Sequence, residues 1–375
     1  MQSAKAPRIS ATVILPKLSL QRLFDNLREN GFQLIGPTVR DGSVVLAEIA
    51  SIADLPVGYT LQQKPGNSRL ERTQGTDYFA CTVGAHSWKR YLHPPRIDLL
   101  EVRRKNGEWT FEPLKDDSPP FAFIGVRSCD LHAISIQDEV FLGSALRDPH
   151  YSQRRQRAFI LAVNCITAAP TCFCTSMKTG PRVQAGFDLA LTELPDSFAI
   201  EIGSEAGSDA LGNVDWQPAS AFDLSRVAQM THRTEQQIQR QVAINDLPQM
   251  LYERIDHPYW ETFTARCLSC ANCTMVCPTC FCSTVEDRSD LTGHRATRTR
   301  VWDSCFTLEF SHLHGGNSRP TIKSRFRQWM THKMASWIDQ FGHLGCVGCG
   351  RCIVWCPVGI DITHELSTLR SMGAR

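Results

Sequence analysis

The chain has 375 residues, enough for two or three domains that each bury their own core, so it does not need disulfides to fold. Apolar residues make up 42% and charged residues 21%, which excludes a disordered or fibrous chain. Lys and Arg number 40 against 38 Asp and Glu, and this net charge of +2 gives no sign of nucleic-acid or anionic-membrane binding.

The first part of the chain mixes helical and strand-like patterns. A helix is predicted between Ser19, as its N-cap, and Gly31, where it ends. Short runs rich in β-branched and aromatic residues predict strands at 32–37, 43–49 and 77–83. The Pro- and Gly-rich stretch 56–75 is predicted to be a surface loop.

Two later segments, 121–126 and 159–163, are uniformly apolar, and each runs into a turn that carries cysteine, as expected of buried strands that end at a site. Strands are also predicted at 188–194 and 198–204, followed by a Gly/Ser-rich loop. From about Asp223 the pattern becomes helical, with a break expected at Pro248.

These patterns predict an α+β protein with two domains. Residues 1–215 would form a mixed α/β domain, which could carry its own iron–sulfur site. Residues 216–375 would form a mostly helical domain with a dicluster, bacterial-ferredoxin-like module and a long insertion at 283–345. No run approaches ~18 apolar residues and the N-terminus lacks a secretory signal pattern, so we expect a cytoplasmic protein without membrane insertion.

The cysteines are the strongest signal in the sequence. Eleven of the 16 lie between Cys267 and Cys356, and in a reducing cytoplasm such a block favours a metal–thiolate site over disulfides. Residues 267–278 read CLSCANCTMVCP and residues 346–357 read CVGCGRCIVWCP, both C-x2-C-x2-C-x3-C-P. This is the bacterial ferredoxin run, in which the fourth cysteine binds the other cluster. Paired zinc sites fit this spacing poorly.

The expected crossover gives two ligand sets, each holding one [4Fe–4S] cluster. Set A is Cys267, Cys270, Cys273 and Cys356, and set B is Cys346, Cys349, Cys352 and Cys277.

The other cysteines leave two alternatives open for a third [4Fe–4S] cluster. Four thiols on segments that leave the two buried strands form set C; three thiols beside the first run form set D, whose members would be alternative ligands. Either group could instead be small buried side chains, which is the interpretation we favour for Cys81. Set C is Cys129, Cys165, Cys172 and Cys174, and set D is Cys280, Cys282 and Cys305.

Some polar residues near these cysteines have two interpretations. Asp130 and His132 flank Cys129, where the simpler expectation is a turn-capping aspartate and an ordinary histidine. Cations on the stretch 325–333 could tune a cluster, but such a stripe is more often the solvated side of a packed helix.

Beyond the ferredoxin runs, the sequence resembles the iron–sulfur β subunit of cytoplasmic sulfhydrogenase-type [NiFe] hydrogenases, which is related to the iron–sulfur subunit of anaerobic sulfite reductase. The segments that carry this resemblance extend from about residue 120 onward. They are GVRSCDLHAI (125–134), DPHYSQRR (148–155), NCITAAPTCFC (164–174), KTGP (178–181), CLSCANCTMVCPTCFC (267–282), WDSCF (302–306), SRFRQWMTHKM (324–334) and GCVGCGRCIVWCPVGID (345–361).

The resemblance implies an electron-transfer subunit without a catalytic site of its own. It would relay single electrons between a hydrogenase or sulfite-reducing partner and a flavin/NAD(P) subunit. The chain has no dinucleotide or nucleotide fingerprint, so flavin and nicotinamide sites are expected on other chains. The alternatives are the iron–sulfur subunit of an anaerobic sulfite reductase and an enzyme that reduces sulfur or disulfides at a cluster with an open iron.

Overall fold

The computed structural model describes residues 7–82 and 84–373. Most strands belong to two sheets, and most helices lie in the second half of the chain. Within the described residues the strands are β1 (Thr12–Pro16), β2 (Gln33–Arg40), β3 (Ser43–Glu48), β4 (Tyr59–Lys64), β5 (Asn67–Arg72), β6 (Arg96–Lys105), β7 (Glu108–Pro113), β8 (Phe121–Arg127), β9 (Phe159–Val163), β10 (Leu189–Glu193), β11 (Ser197–Ile202), β12 (Gln217–Pro218), β13 (Ser283–Ser289), β14 (Arg295–Trp302), β15 (His312–Leu313) and β16 (Gly316–Asn317).

The helices are mostly short, and a π-helical turn at His332–Ser336 interrupts one of the longer helical stretches. In the same part of the chain they are α1 (Leu20–Glu29), α2 (Lys89–Leu92), α3 (Ser128–Leu142), α4 (Pro149–Gln156), α5 (Glu205–Ala210), α6 (Ala221–Gln237), α7 (Leu247–Glu253), α8 (Tyr259–Thr264), α9 (Asn272–Met275), α10 (Ile322–Thr331), α11 (Trp337–Phe341), α12 (Arg351–Val354) and α13 (Ile362–Ser371).

An eight-stranded mixed sheet organises the first part of the chain, in the order β12-β1-β11-β10-β9-β8-β2-β3. Its centre is parallel, since β8 pairs with both β2 and β9, and β9 with β10. Every residue of β8 and β9 is buried, which explains why these strands are apolar without alternation. The helix α1 covers one face with Leu23, Phe24 and Leu27, and Trp88 and Tyr151 pack on the other.

The structure confirms the predicted helix at α1 and the strands β2, β3, β8, β9, β10 and β11. Two predictions were wrong. The described residues 77–82 form no strand, because the amides of Tyr78 and Phe79 donate to the Glu193 carboxylate at 2.9 Å each instead of to a neighbouring strand. The predicted loop at 56–75 contains the hairpin β4–β5, which turns at Gly66 with a φ of +72°.

The second half also contains β structure and a helix where none was predicted. The predicted loop after β11 holds α5, which Ser204 caps by accepting from the amide of Gly207. The insertion begins with the hairpin β13–β14, and β14 pairs antiparallel with β6, so a sheet of order β13-β14-β6-β7 joins the two predicted domains. The expectation of a mostly helical region missed this hairpin because its strands carry arginines and acids on exposed positions.

The second ferredoxin run packs directly on the TCFC loop at 171–174. The amide of Phe173 donates to the Gly348 carbonyl oxygen at 2.9 Å. A Cβ on Gly348 would lie 2.7 Å from the Cys174 Cα, and one on Gly350 would lie 2.4 Å from the Thr171 oxygen. Both glycines have positive φ, so only a residue without a side chain permits this approach of two backbones.

No helix within 7–82 or 84–373 has the length and apolar character that crossing a bilayer requires.

We predict that Gly348→Ala destabilises the protein more than Gly342→Ala does. Both positions have positive φ, of 63° and 79°, so each substitution costs about 1–2 kcal/mol in backbone strain. A Cβ at Gly342 meets nothing within 4 Å, whereas one at Gly348 clashes with backbone. Thermal unfolding and hydrogen exchange at the Phe173 amide measure the difference. Equal losses in both variants would show that the close approach is not needed.

Candidate iron–sulfur centres

The two ferredoxin runs fold into the same loop. Ser269 and Gly348 occupy equivalent positions and have φ of 53° and 63°, and Ala271 and Gly350 have 64° and 75°. A left-handed conformation is costly for serine and alanine, so the loop holds a strained shape in the first run. Each loop leads into a one-turn helix, α9 in the first run and α12 in the second.

Backbone amides in these loops donate to cysteine sulfurs, as expected where thiolates must be held around a cluster. The bonds are Ser269 N to Cys267 Sγ at 3.4 Å, Gly348 N to Cys346 Sγ at 3.5 Å and Ile360 N to Cys356 Sγ at 3.3 Å.

Set A lies near the surface. It lines a pocket of about 420 Å³, partly open to solvent, with Phe306, Phe326 and Trp329 on the protein side. Cys270 is exposed and the neighbouring Leu268 is 63% exposed. Burial raises the pKa of Cys273 well above its usual value, and the charges of the other set A thiolates, first among them Cys267, raise it further. Such a group resists ionisation unless a metal core replaces its protons, which suits a cluster.

Set B is more deeply enclosed. Burial raises the pKa of Cys346 to about 12, and the Lys333 ammonium opposes this shift. Burial also raises the pKa of Cys352, to which the charges of Cys346, Cys349 and Cys277 add in turn. Cys277 from the first run therefore lies among the cysteines of the second run, and Cys356 among those of the first. This is the arrangement that crossover ligation requires.

Set C assembles at the carboxyl ends of two neighbouring parallel strands. β8 pairs with β9, so Cys129, in the first turn of α3, and Cys165, just after β9, reach the same edge of the sheet. Burial raises the pKa of Cys172 to about 12, with the charge of Cys165 as the next cause. Burial likewise raises the pKa of Cys174, and the charges of Cys172 and Cys165 follow. The structure thus brings all four thiols together.

Set C and set B are adjacent. Cys129 and Cys174 pack in one buried group with Cys349 of set B, and Cys172 lies against it. Sets A and B are adjacent as well, since the pKa of Cys352 responds last to the charge of Cys273 after burial and three nearer thiolates.

A buried ion pair joins set B to set C. Arg351, 2% exposed, follows Cys349 by two residues, and Asp130 follows Cys129. Two parallel bonds connect them: Nη1 donates to Oδ1 at 2.8 Å and Nη2 to Oδ2 at 3.1 Å. Asp130 is thus the partner of an arginine and not a turn cap. Sequence analysis did not find Arg351, since its position between two cysteines of the run carries no spacing signal of its own.

Set D lies beside Cys277. A hydrogen bond from the Cys305 thiol lowers the pKa of Cys282 to about 7. A hydrogen bond from the Cys280 thiol lowers the pKa of Cys277 well below its usual value, against the effect of burial. The three set D thiols are therefore together, but they lie against a set B ligand and not on a separate surface.

Two buried lysines face these thiols. Lys333 and Lys89 are 7% and 5% exposed. Burial opposes the charged form of Lys333, but the thiolates of Cys277 and Cys280 together outweigh it and raise the pKa of this lysine well above its usual value. Burial lowers the pKa of Lys89, and the same two thiolates oppose that shift. Sequence analysis did not find Lys89, because nothing in its local pattern indicates a buried ammonium.

Cys81 stands apart from the four sets. It is 5% exposed, its thiol donates to the Tyr59 oxygen at 3.0 Å, and burial raises its pKa to about 11. This environment suits a packing residue.

Across the described ranges, no three His, Cys, Asp or Glu side chains form a group that could hold a single metal ion. A cubane places each thiolate on a different iron, so its ligands surround a core and do not converge on one point.

The comparisons with known proteins agree with this chemistry. Residues 266–360, which contain both ferredoxin runs, match the family described as 4Fe-4S dicluster domain. Sulfhydrogenase 2 subunit beta of Pyrococcus furiosus is 29% identical over 354 residues, covering 92% of this chain and 95% of that protein. No solved structure matches the chain.

The class that the fold, the thiol sets and the domain match define is an iron–sulfur electron-transfer subunit. Within that class the chain is similar to the β subunit of sulfhydrogenases, so the resemblance predicted from the sequence is confirmed over most of the chain.

We predict that Arg351→Met lowers the free energy of unfolding by about 3–5 kcal/mol, because it leaves the Asp130 carboxylate buried without its partner. Arg351→Met combined with Asp130→Asn should lose less, since no buried charge remains. The control is Arg298→Met, which removes a pair with Asp287 whose side chains are 51% and 60% exposed and should cost about 1 kcal/mol or less. Denaturant unfolding measures all three. A double variant as unstable as Arg351→Met alone would contradict the charge argument.

Proposed function

We propose that the chain relays single electrons between a [NiFe] hydrogenase-type partner and a flavin/NAD(P)-binding reductase subunit within a larger oxidoreductase complex. The observation that carries the proposal is the unbroken succession of sets A, B and C through the interior. The name of the relative, a sulfhydrogenase subunit, supports the hydrogenase-type partner. The near-neutral net charge of +2 and the absence of a nucleotide-binding fingerprint in the sequence support a role without nucleic acid and without a flavin on this chain.

Sets A and B, with their fourth ligands exchanged, would each hold a [4Fe–4S] cluster, and set C a third. When bound, such clusters take up and release one electron at a time. The protein supplies the path: set A is exposed at Cys270, set B lies between, and set C lies at the edge of the large sheet. Electrons would enter or leave at the exposed end.

A reducing compartment fits this role. All 16 cysteines lie in the described part of the chain, and none is in a disulfide. Free thiols in this number favour the cytoplasm, where glutathione and thioredoxin keep cysteines reduced.

Set D favours a second candidate. Three thiols without a fourth cysteine of their own would leave one iron of a cluster open, and an open iron could act on sulfite, sulfur or a disulfide. The chain would then resemble the iron–sulfur subunit of an anaerobic sulfite reductase or would itself reduce sulfur compounds. The position of set D against Cys277, which set B requires, favours the relay.

We predict that anaerobically purified protein contains about 12 irons per chain, four for each of three clusters. Cys172→Ser combined with Cys174→Ser should leave about 8, because only set C loses ligands. Cys81→Ser, a buried cysteine outside every set, is the control and should leave the iron content unchanged.

Cys280→Ser combined with Cys282→Ser decides between sets C and D. It should also leave about 12 irons if set D is not a ligand set. If this variant instead loses iron while the Cys172 and Cys174 variant does not, the third cluster belongs to set D and the sulfur-reducing candidate gains.

We also predict that dithionite bleaches the visible absorption of the isolated chain and that NADH or NADPH alone does not. Nicotinamide carries two electrons as hydride, so it needs a flavin to supply single electrons to clusters. Adding a flavin-containing reductase to the same mixture should restore NAD(P)H-dependent bleaching. Flavin that copurifies with the chain, together with bleaching by NAD(P)H alone, would show that the chain has its own hydride site.

A further inference from the structure

The buried ammonium of Lys333 is tied to both segments that supply set B. Nζ donates to the Thr279 hydroxyl at 2.6 Å and to the Gly345 carbonyl oxygen at 3.3 Å. Thr279 Oγ1 in turn lies 3.3 Å from Cys277 Sγ, and Gly345 immediately precedes Cys346. The ammonium also forms a hydrogen bond with the Cys277 side chain. It is therefore fixed between the two runs at their closest point.

No carboxylate balances this charge. Within 7–82 and 84–373, neither Lys333 nor Lys89 forms an ion pair with Asp or Glu. Lys89 has only the Met275 carbonyl oxygen at 3.4 Å and the ring of Trp302, whose centroid is 3.9 Å away. Buried charges in proteins are ordinarily paired, so the neighbouring thiolates and whatever they bind are the only available counter-charge.

We propose that Lys333 tunes the reduction potential of the set B cluster, acting by its positive charge and not by packing. This inference rests on the proposed ligation of a cluster by set B. Reduction adds one negative charge to a cluster that its four thiolates already make anionic, and a fixed cation in a low-dielectric interior stabilises the reduced form more than the oxidised form. Lys333 therefore raises the potential of this cluster and keeps it reducible between the clusters of sets A and C.

The test is an EPR-monitored redox titration of the anaerobically purified holoprotein, with iron content measured on the same samples. Lys333→Met removes the charge and keeps an unbranched side chain. One cluster component should shift to lower potential, with its reduced fraction at a fixed solution potential falling about tenfold, or about 59 mV for one electron. Lys333→Arg keeps the charge and should shift much less.

The matched control is Lys323→Met on α10, which removes an exposed lysine paired with Glu261 at 2.6 Å. It should leave every component unchanged. Wild-type iron content with an unshifted component in Lys333→Met overturns the inference. A shift of equal size in Lys333→Arg and Lys333→Met also overturns it, because packing would then be the cause.

If Lys333→Met fails to retain iron, Thr279→Val decides. It removes the hydroxyl that positions Nζ but leaves the charge, so a smaller shift in the same direction supports the inference and no shift overturns it. A wild-type protein that contains no cluster would overturn the proposed function and this inference together, whereas wild-type clusters with an unshifted variant overturn the inference alone.

Discussion

The contact of two backbones, at Gly348 and Gly350 on one side and the loop 171–174 on the other, is the constraint on which the rest of the arrangement depends. No side chain separates these segments, so the distance between the ferredoxin loop and the edge of the large sheet is fixed by main-chain dimensions. The bond from Thr179 Oγ1 to the Val347 carbonyl oxygen, at 2.7 Å, strengthens the same junction. Sets B and C are neighbours because of this junction and not because of the sulfur chemistry.

Charge balance governs the interior around the thiols. Many thiols lie in a low-dielectric region, and burial alone would keep them protonated. Arg351, Lys333 and Lys89 supply positive charge from three separate elements, and only Arg351 has a carboxylate partner. An interior organised in this way is stable only when anionic sulfur is present to balance the ammonium groups. The composition, with its near-equal numbers of acids and bases, conceals this local excess of positive charge.

Sequence patterns predicted the parts of the molecule that are governed by local spacing. The ferredoxin runs, the buried strands β8 and β9 and the helix α1 all follow from short-range periodicity. The hairpin β13–β14 was missed because its strands are polar and find their partner in β6, far away in the chain. The pattern around Lys333 favours the polar side of a helix, since nothing local distinguishes an ammonium that faces sulfur from one that faces solvent. The strand expected at 77–83 failed because a carboxylate from β10 occupies its amides.

The junction between the ferredoxin loop and the sheet edge also bears on the order in which the chain matures. The bond from Thr179 to Val347 joins residues 168 positions apart. Closing so long a loop is slow, and the N-terminal sheet emerges from the ribosome well before its partner segment does. Until the last residues are released, Cys129, Cys165, Cys172 and Cys174 lack the surface that covers them. The cell must therefore protect these thiols from oxidation during synthesis or deliver iron and sulfide only after the chain is complete.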